Sequence, residues 1–235
     1  MSHADLYRYL DFGGKDDYQK LDLPAPVLRD GILEIEPDTL AELSRIAFSE
    51  IAFKYPAGHL ELLAAILRDE KAGESEKFVV ETLLRNAAIA AEGVLPMCQD
   101  TGTALIYGWK GEGVGTAGGA DAAEALSRGA AKAYAERRLR KSQLGPLSAT
   151  AEKNTGDNLP AAIDLRAVPG DCFRLLFAAK GGGSSSKTSL SMESPTVLRG
   201  EGLEKALAAR IGALGASACP PYSIAVALGG ATPSQ

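Results

Sequence analysis

Four short strings hold the residue types that do chemistry. The sharpest is Pro96-Met97-Cys98-Gln99-Asp100-Thr101-Gly102-Thr103. A cysteine in a loop between a helix and a strand can present a thiolate to a metal, and Gln99 and Asp100 set an amide and a carboxylate beside it. The plain alternative is a small apolar cysteine followed by a polar turn. The second string is Ala218-Cys219-Pro220-Pro221-Tyr222. Proline after cysteine removes a backbone N–H and stiffens the chain at a potential ligand, and a Cys-Pro step ends a common iron–sulfur motif. The same residues could equally make a rigid turn before an apolar run. The third cysteine, Cys172, lies in the strand-like pattern CFRLLFA and reads as core.

The third string, Lys180-Gly181-Gly182-Gly183-Ser184-Ser185-Ser186-Lys187-Thr188, has the glycines and lysines of a phosphate loop but not its spacing, because Lys187 follows Ser186 rather than glycine. What remains is a turn whose backbone N–H groups suit any anion, a carboxylate included, or else a flexible loop. The fourth string puts Arg140, Ser142 and Gln143 ahead of Asn154-Thr155-Gly156-Asp157-Asn158-Leu159-Pro160. An arginine can grip a carboxylate through two parallel hydrogen bonds, although a lone arginine is more often a solvated surface charge.

These strings need elements to position them. Residues 1–31 read as irregular, broken by Gly13, Gly14, Pro24 and Pro26. Pro37, with Thr39 and Glu42 as a capping pair, predicts a helix start, and Leu40, Leu43, Ala47 and Ile51 give it one apolar face. Two further helices follow over 59–69 and 77–92. The character changes at Val94. Strands are expected over 103–107, 160–165, 172–178 and 223–228, with Pro169-Gly170-Asp171 joining the second to the third. Helices are expected over 120–138 and 202–214. The fold class is therefore α/β with α+β character: a helical N-terminal half packed on a small mixed sheet with surrounding helices. It is either one domain, or a helical subdomain 1–95 with an α/β subdomain 96–235. The last strand followed by Gly229-Gly230 at the end of the chain reads as a truncation.

Composition excludes several classes. The chain has 235 residues, 46% hydrophobic and 23% charged, with a net charge of −5 and acids and bases interspersed. That balance argues against a nucleic-acid partner. No run of about 18 apolar residues and no signal peptide is visible, so no membrane span is expected. Three cysteines outside a secretory context fit a reducing cytoplasm better than a disulfide framework.

Together the strings GGKDD (13–17), AAEGVLPMCQDTGTA (90–104), LRKSQ (139–143), NTGDNLPAAIDL (154–165), AKGGGSSSKT (179–188) and ACPPYSIAVALGG (218–230) resemble the class I fumarase family, iron–sulfur hydro-lyases. They fall in family order and span nearly the whole chain. The resemblance implies the N-terminal (α) domain of a fumarate hydratase of the tricarboxylic acid cycle, with the C-terminal (β) catalytic domain outside this chain and a homodimer when full length. It implies a 4Fe–4S cluster held by Cys98, Cys219 and a third cysteine beyond residue 235. It also implies contacts to a small dicarboxylate from Gln99, Asp100, Arg140 and Gly183, with Asp100 the catalytic candidate in this part. Ser223 stands where many members carry histidine, and Ser185-Ser186 replaces the more usual Ala-Asn. An L-tartrate or methylfumarate dehydratase α domain is thus a same-class alternative, and a non-catalytic binding module of the same fold is a third. The chain by itself is expected to be inactive.

Overall fold

The computed structural model describes residues 20–145 and 150–229. The string at 13–17 lies outside them. The chain divides into two compact units, Met1–Lys180 and Gly181–Gln235.

The first unit opens with strands β1 (Val27–Arg29) and β2 (Ile32–Ile35), paired antiparallel around Asp30-Gly31. This hairpin corrects the reading of 1–31 as irregular. Asp-Gly between two short runs rich in apolar residues is a hairpin signal, and both residues adopt the positive φ such a turn needs. Helix α1 (Pro37–Phe53) follows. Its start is set by Pro37, whose missing N–H costs nothing in a first turn. The expected Thr39–Glu42 capping box does not form. Thr39 is already helical, and the Glu42 carboxylate accepts from Arg45 Nε at 2.9 Å instead. Helices α2 (Ala57–Arg68) and α3 (Glu74–Ala90) confirm the helical reading of this stretch.

Strand β3 (Thr103–Gly111) leads to β4 (Val114–Thr116), which pairs parallel with β2. Helix α4 (Ala122–Glu136) then packs against α1. Its small residues explain the close approach. A Cβ at Gly129 would stand 2.0 Å from the Ala41 carbonyl oxygen, so only glycine lets the two backbones meet. Ser44 Oγ, fully buried, donates to Leu126 O at 2.7 Å across this contact.

The second sheet has the order β5–β3–β6, with β5 (Ala162–Val168) parallel to β3 and β6 (Phe173–Lys180) antiparallel. The strands joined by Pro169-Gly170-Asp171 are therefore not neighbours, because β3 lies between them. Their connection passes over the end of β3, where Gly111 N–H donates to Cys172 O at 2.8 Å and Gly113 N–H to Gly170 O at 2.9 Å. A side chain at Gly111 would meet Gly170 O at 2.4 Å. Cys172 sits on this connection, before β6 begins. It is exposed, which corrects its reading as core. The core gathers Leu40, Phe48, Ala104, Ile106, Leu126, Ala130, Ala133 and Tyr134, with Phe48 edge-on to Phe177 at 5.6 Å.

The second unit holds α5 (Gly182–Ser186) and α6 (Gly202–Gly212), with a 3-10 turn at Pro195–Leu198. The glycine string, expected as an anion-suited turn or else a flexible loop, forms one helical turn. The run 223–228 is not a strand, and Ile224, Val226 and Leu228 are exposed. Among the described residues this unit offers no strand to pair with it, and apolar alternation alone cannot make a ladder. No helix among the described residues is long and apolar enough to cross a membrane.

Candidate functional site

The first unit brings four of the six expected site residues onto two adjoining loops. Cys98, Gln99 and Asp100 lie between α3 and β3, and Arg140 lies just past α4. The Cys98 loop is fixed at both ends. Upstream, Met97 N–H donates to Ala52 O at 2.9 Å and Asn86 Nδ2 donates to Met97 O at 2.7 Å. Downstream, the Tyr134 hydroxyl stands 2.8 Å from the carbonyl oxygens of both Thr101 and Gly102, and its one proton serves the two. Between these anchors Cys98 and Gln99 are exposed and Asp100 is half-buried. The Asp100 N–H donates to Cys98 Sγ at 3.4 Å, which ties the sulfur to its own loop.

The Arg140 segment is tied to the same framework. Thr101 Oγ1 donates to Arg140 O at 2.9 Å, and Thr103 Oγ1 donates to Gln143 Oε1 at 2.9 Å. Buried Leu139 anchors the chain one residue before. Asn158 Oδ1 accepts from the Ser142 and Gln143 N–H groups at 2.9 and 3.0 Å, while its Nδ2 donates to Gly102 O at 3.0 Å. The strings at 98–103, 139–143 and 154–158 thus meet, and the Arg140 side chain is left exposed. Among the described residues no carboxylate pairs with its guanidinium.

Electrostatics follow from burial. Burial pushes the Tyr134 phenol up to about 12, and the Asp100 carboxylate adds to the push. Tyr134 therefore stays a proton donor at any physiological pH. Tyr55 is also raised, first by burial and then by Cys98, which marks it as a neighbour of that sulfur.

The second unit holds Gly183 and Cys219. A Cβ at Gly183 would lie 3.6 Å from Ser217 O, so the first turn of α5 rests beside the Cys219 loop. Tyr222 closes that loop, its hydroxyl donating to Gly215 O at 2.7 Å and accepting from Ala218 N–H at 3.3 Å. Cys219 is exposed and has a φ of 60°, so the backbone turns sharply at the sulfur-bearing residue.

Among the described residues no three His, Cys, Asp or Glu side chains converge to hold a metal ion. Of the three exposed cysteines, Cys98 and Cys219 sit on tethered loops, one in each unit, and Cys172 on the connection that passes over β3. Among the described residues neither loop is a self-contained metal site, and either thiol could serve a cluster only with further thiolates supplied from elsewhere. Tyr134, Asn158 and Thr101 do the positioning, and sequence reasoning gave them no role. Thr101 and Asn158 lay inside strings already quoted. Tyr134 could have been found as the lone aromatic of an alanine-rich helix, whose hydroxyl must find a partner once buried.

The family model for fumarate hydratase (Fumerase) matches residues 41–235. The aerobic class I fumarate hydratase of Escherichia coli K12 is 49% identical over 199 residues, covering 85% of this chain and 36% of that protein. Fumarate hydratase 1, mitochondrial, of Leishmania major is 42% identical over 231 residues, covering 98% of this chain and 41% of that protein. The putative L(+)-tartrate dehydratase subunit alpha of Methanocaldococcus jannaschii is more distant, 28% identical over 195 residues, with 82% of this chain and 66% of that protein covered. The chain thus spans little more than a third of the length of the fumarate hydratases it matches. With the family model covering most of its length and the clamped Cys98 and Arg140 loops inside the matched region, this chain belongs to the fumarate hydratase (Fumerase) family.

Proposed function

We propose that the chain is the N-terminal (α) domain of a class I fumarate hydratase, a hydro-lyase that adds water reversibly across fumarate to give L-malate. The observation that supports this best is the pairing of the Cys98–Asp100 loop with the Arg140 segment through one buried framework. It sets the loop that carries a thiol and a carboxylate beside the segment that carries Arg140, whose guanidinium has no carboxylate partner among the described residues. Cys98 and Cys219 are the residues that would hold a 4Fe–4S cluster, with the third cysteine in a C-terminal domain. When bound, such a cluster supplies a Lewis acid for the hydroxyl that is added or lost.

The other roles fall to this chain's own side chains. Arg140 grips one substrate carboxylate through paired charge-assisted hydrogen bonds. It also opposes the negative charge that builds on that carboxylate when the neighbouring carbon gives up a proton. Gln99 offers an amide to the other end of the dicarboxylate, and the Gly183 N–H a backbone donor. Asp100, the catalytic candidate, can hold a proton at a carboxyl oxygen beside the reacting carbons.

The test is the complete gene product purified without oxygen, assayed for iron and for turnover of fumarate, L-tartrate and methylfumarate. Iron with fumarate turnover supports the reading. The 28% relation to a putative L(+)-tartrate dehydratase subunit makes tartrate the second substrate to try, and preference for it would replace fumarate. A stable protein with neither iron nor turnover would be a binding module instead.

A further inference from the structure

We propose that Asn158 is a positioning residue that sets Arg140 against the Cys98–Asp100 loop, an inference that rests on the functional reading above. Asn158 is 1% exposed, among the most buried side chains of the protein, yet it is polar and sits in a loop. Its φ is 64°, a left-handed conformation that asparagine tolerates better than most residues with a side chain. The conformation aims one short amide at two loops at once. Oδ1 spends both acceptor sites on the Ser142 and Gln143 N–H groups, and Nδ2 donates to Gly102 O.

No simple replacement does the same. Aspartate keeps the acceptor but puts a second oxygen against Gly102 O. Glutamine is one methylene too long for a closed cavity. Glycine keeps the backbone turn and loses all three bonds. The local turn is braced separately: Gly156 N–H donates to Asn154 Oδ1 at 2.8 Å, and Leu159 N–H to Asp157 Oδ1 at 3.0 Å. The Asn158 amide is therefore not needed to form the turn it sits on. Its bonds serve the loops on either side. Arg140 and Asp100 are the groups those loops carry, and a shift of about 1 Å in a reacting or binding group can cost on the order of 100-fold in rate.

The experiment compares Asn158→Gly and Asn158→Asp with the parent, in the complete gene product purified without oxygen. Three readouts are taken: steady-state kinetics on fumarate and L-tartrate, iron per chain, and hydrogen exchange at the Ser142 and Gln143 amides. In Asn158→Gly, KM rises about 10–100-fold, the range seen when outer-shell partners of a site are removed. Iron is retained, and both amides lose protection. In Asn158→Asp the two amides stay protected and KM returns to within a few-fold of the parent, while kcat stays low because the Gly102 tether is gone.

Parental KM in Asn158→Gly would overturn the proposal. So would an equal fall in kcat for both variants with KM unchanged, which is the mark of lost folded protein. If Asn158→Gly does not fold, Asn158→Asp decides alone, and parental kcat with parental KM overturns it. A parent that turns over neither substrate refutes the functional reading rather than this one, since the exchange measurement still shows whether the asparagine holds the Arg140 segment.

Discussion

The two units treat their cysteines differently. Cys98 projects from a loop whose flanking residues bond to the buried interior: Tyr134, Asn158 and Thr101 on one side, Asn86 and the end of α1 on the other. Cys219 projects from a loop closed on itself by Tyr222, in a unit where none of the described residues is buried. The first arrangement is preorganised. Its geometry is fixed by burial, which makes each hydrogen bond costly to break. The second holds its shape through half-exposed bonds, each worth about 1 kcal/mol net. If Cys98 and Cys219 are both ligands, as proposed, one half of the set is built by folding and the other half is left to be fixed by what binds it.

The largest effect that tests this contrast is loss of a ligand. In the complete gene product, Cys98→Ser and Cys219→Ser should each drop iron to background and abolish fumarate turnover. Full iron in either variant would remove that cysteine from the ligand set. The same split predicts that the 235-residue chain, expressed alone, purifies without stoichiometric iron and stays inactive after anaerobic reconstitution. Turnover by this chain alone would break the comparison and direct the search for a base to Asp100, Lys180 and Lys187.

Next comes Arg140→Ala, which leaves the framework intact and removes the cation it presents. It should lower kcat/KM on fumarate by roughly 2–4 kcal/mol equivalent, because a bound carboxylate loses a charged partner. Unchanged kinetics would make Arg140 an ordinary surface charge.

How much of this was legible follows the same contrast. The helices at 37–92 were readable because their apolar residues recur at helical spacing, although in α1 the fully buried line runs through Leu40, Ser44 and Phe48, with Leu43, Ala47 and Ile51 only partly covered beside it. The site strings were readable as chemistry, but their mutual placement was not. Nothing local says that Asn158 reaches Gly102 across 56 positions, since that contact depends on β3 running beside β5. The sheet order was missed for a related reason. Pro169-Gly170-Asp171 has the composition of a tight turn, and only the crowding at Gly111 shows that it spans a strand. In the second unit the run 223–228 had strand composition, but composition cannot supply a partner strand.

The Tyr134 hydroxyl gives a stability test of the preorganised half. Tyr134→Phe leaves the Thr101 carbonyl without its phenol donor and should destabilise the protein by about 1–3 kcal/mol. The pH sign is fixed by the raised phenol. Between the unfolded value of 10.0 and the folded value of about 12, the folded state holds a proton that the unfolded state has lost. The stabilisation is therefore complete below pH 10 and falls as pH rises through 12, by up to roughly 2–3 kcal/mol. Denaturant melts from pH 9 to 12 should show that loss in the parent and not in Tyr134→Phe. A parallel loss in both would assign the alkaline transition to other groups.

The smallest expected effect is at the third cysteine, and it controls for the other two. Cys172 is exposed like Cys98 and Cys219, but it lies on the connection that passes over β3, where its carbonyl rather than its sulfur does structural work by accepting the Gly111 N–H. Serine keeps that carbonyl and nearly keeps the side-chain volume. Cys172→Ser should therefore shift stability by no more than about 0.5 kcal/mol, as expected for a surface substitution away from special features. Iron content and fumarate kinetics should not change. A cost of several kcal/mol would return Cys172 to the core. A loss of iron would mean that exposure and a tethered backbone do not separate the proposed ligand cysteines from the third, and the contrast between the two cysteine loops would no longer describe how the proposed cluster is held.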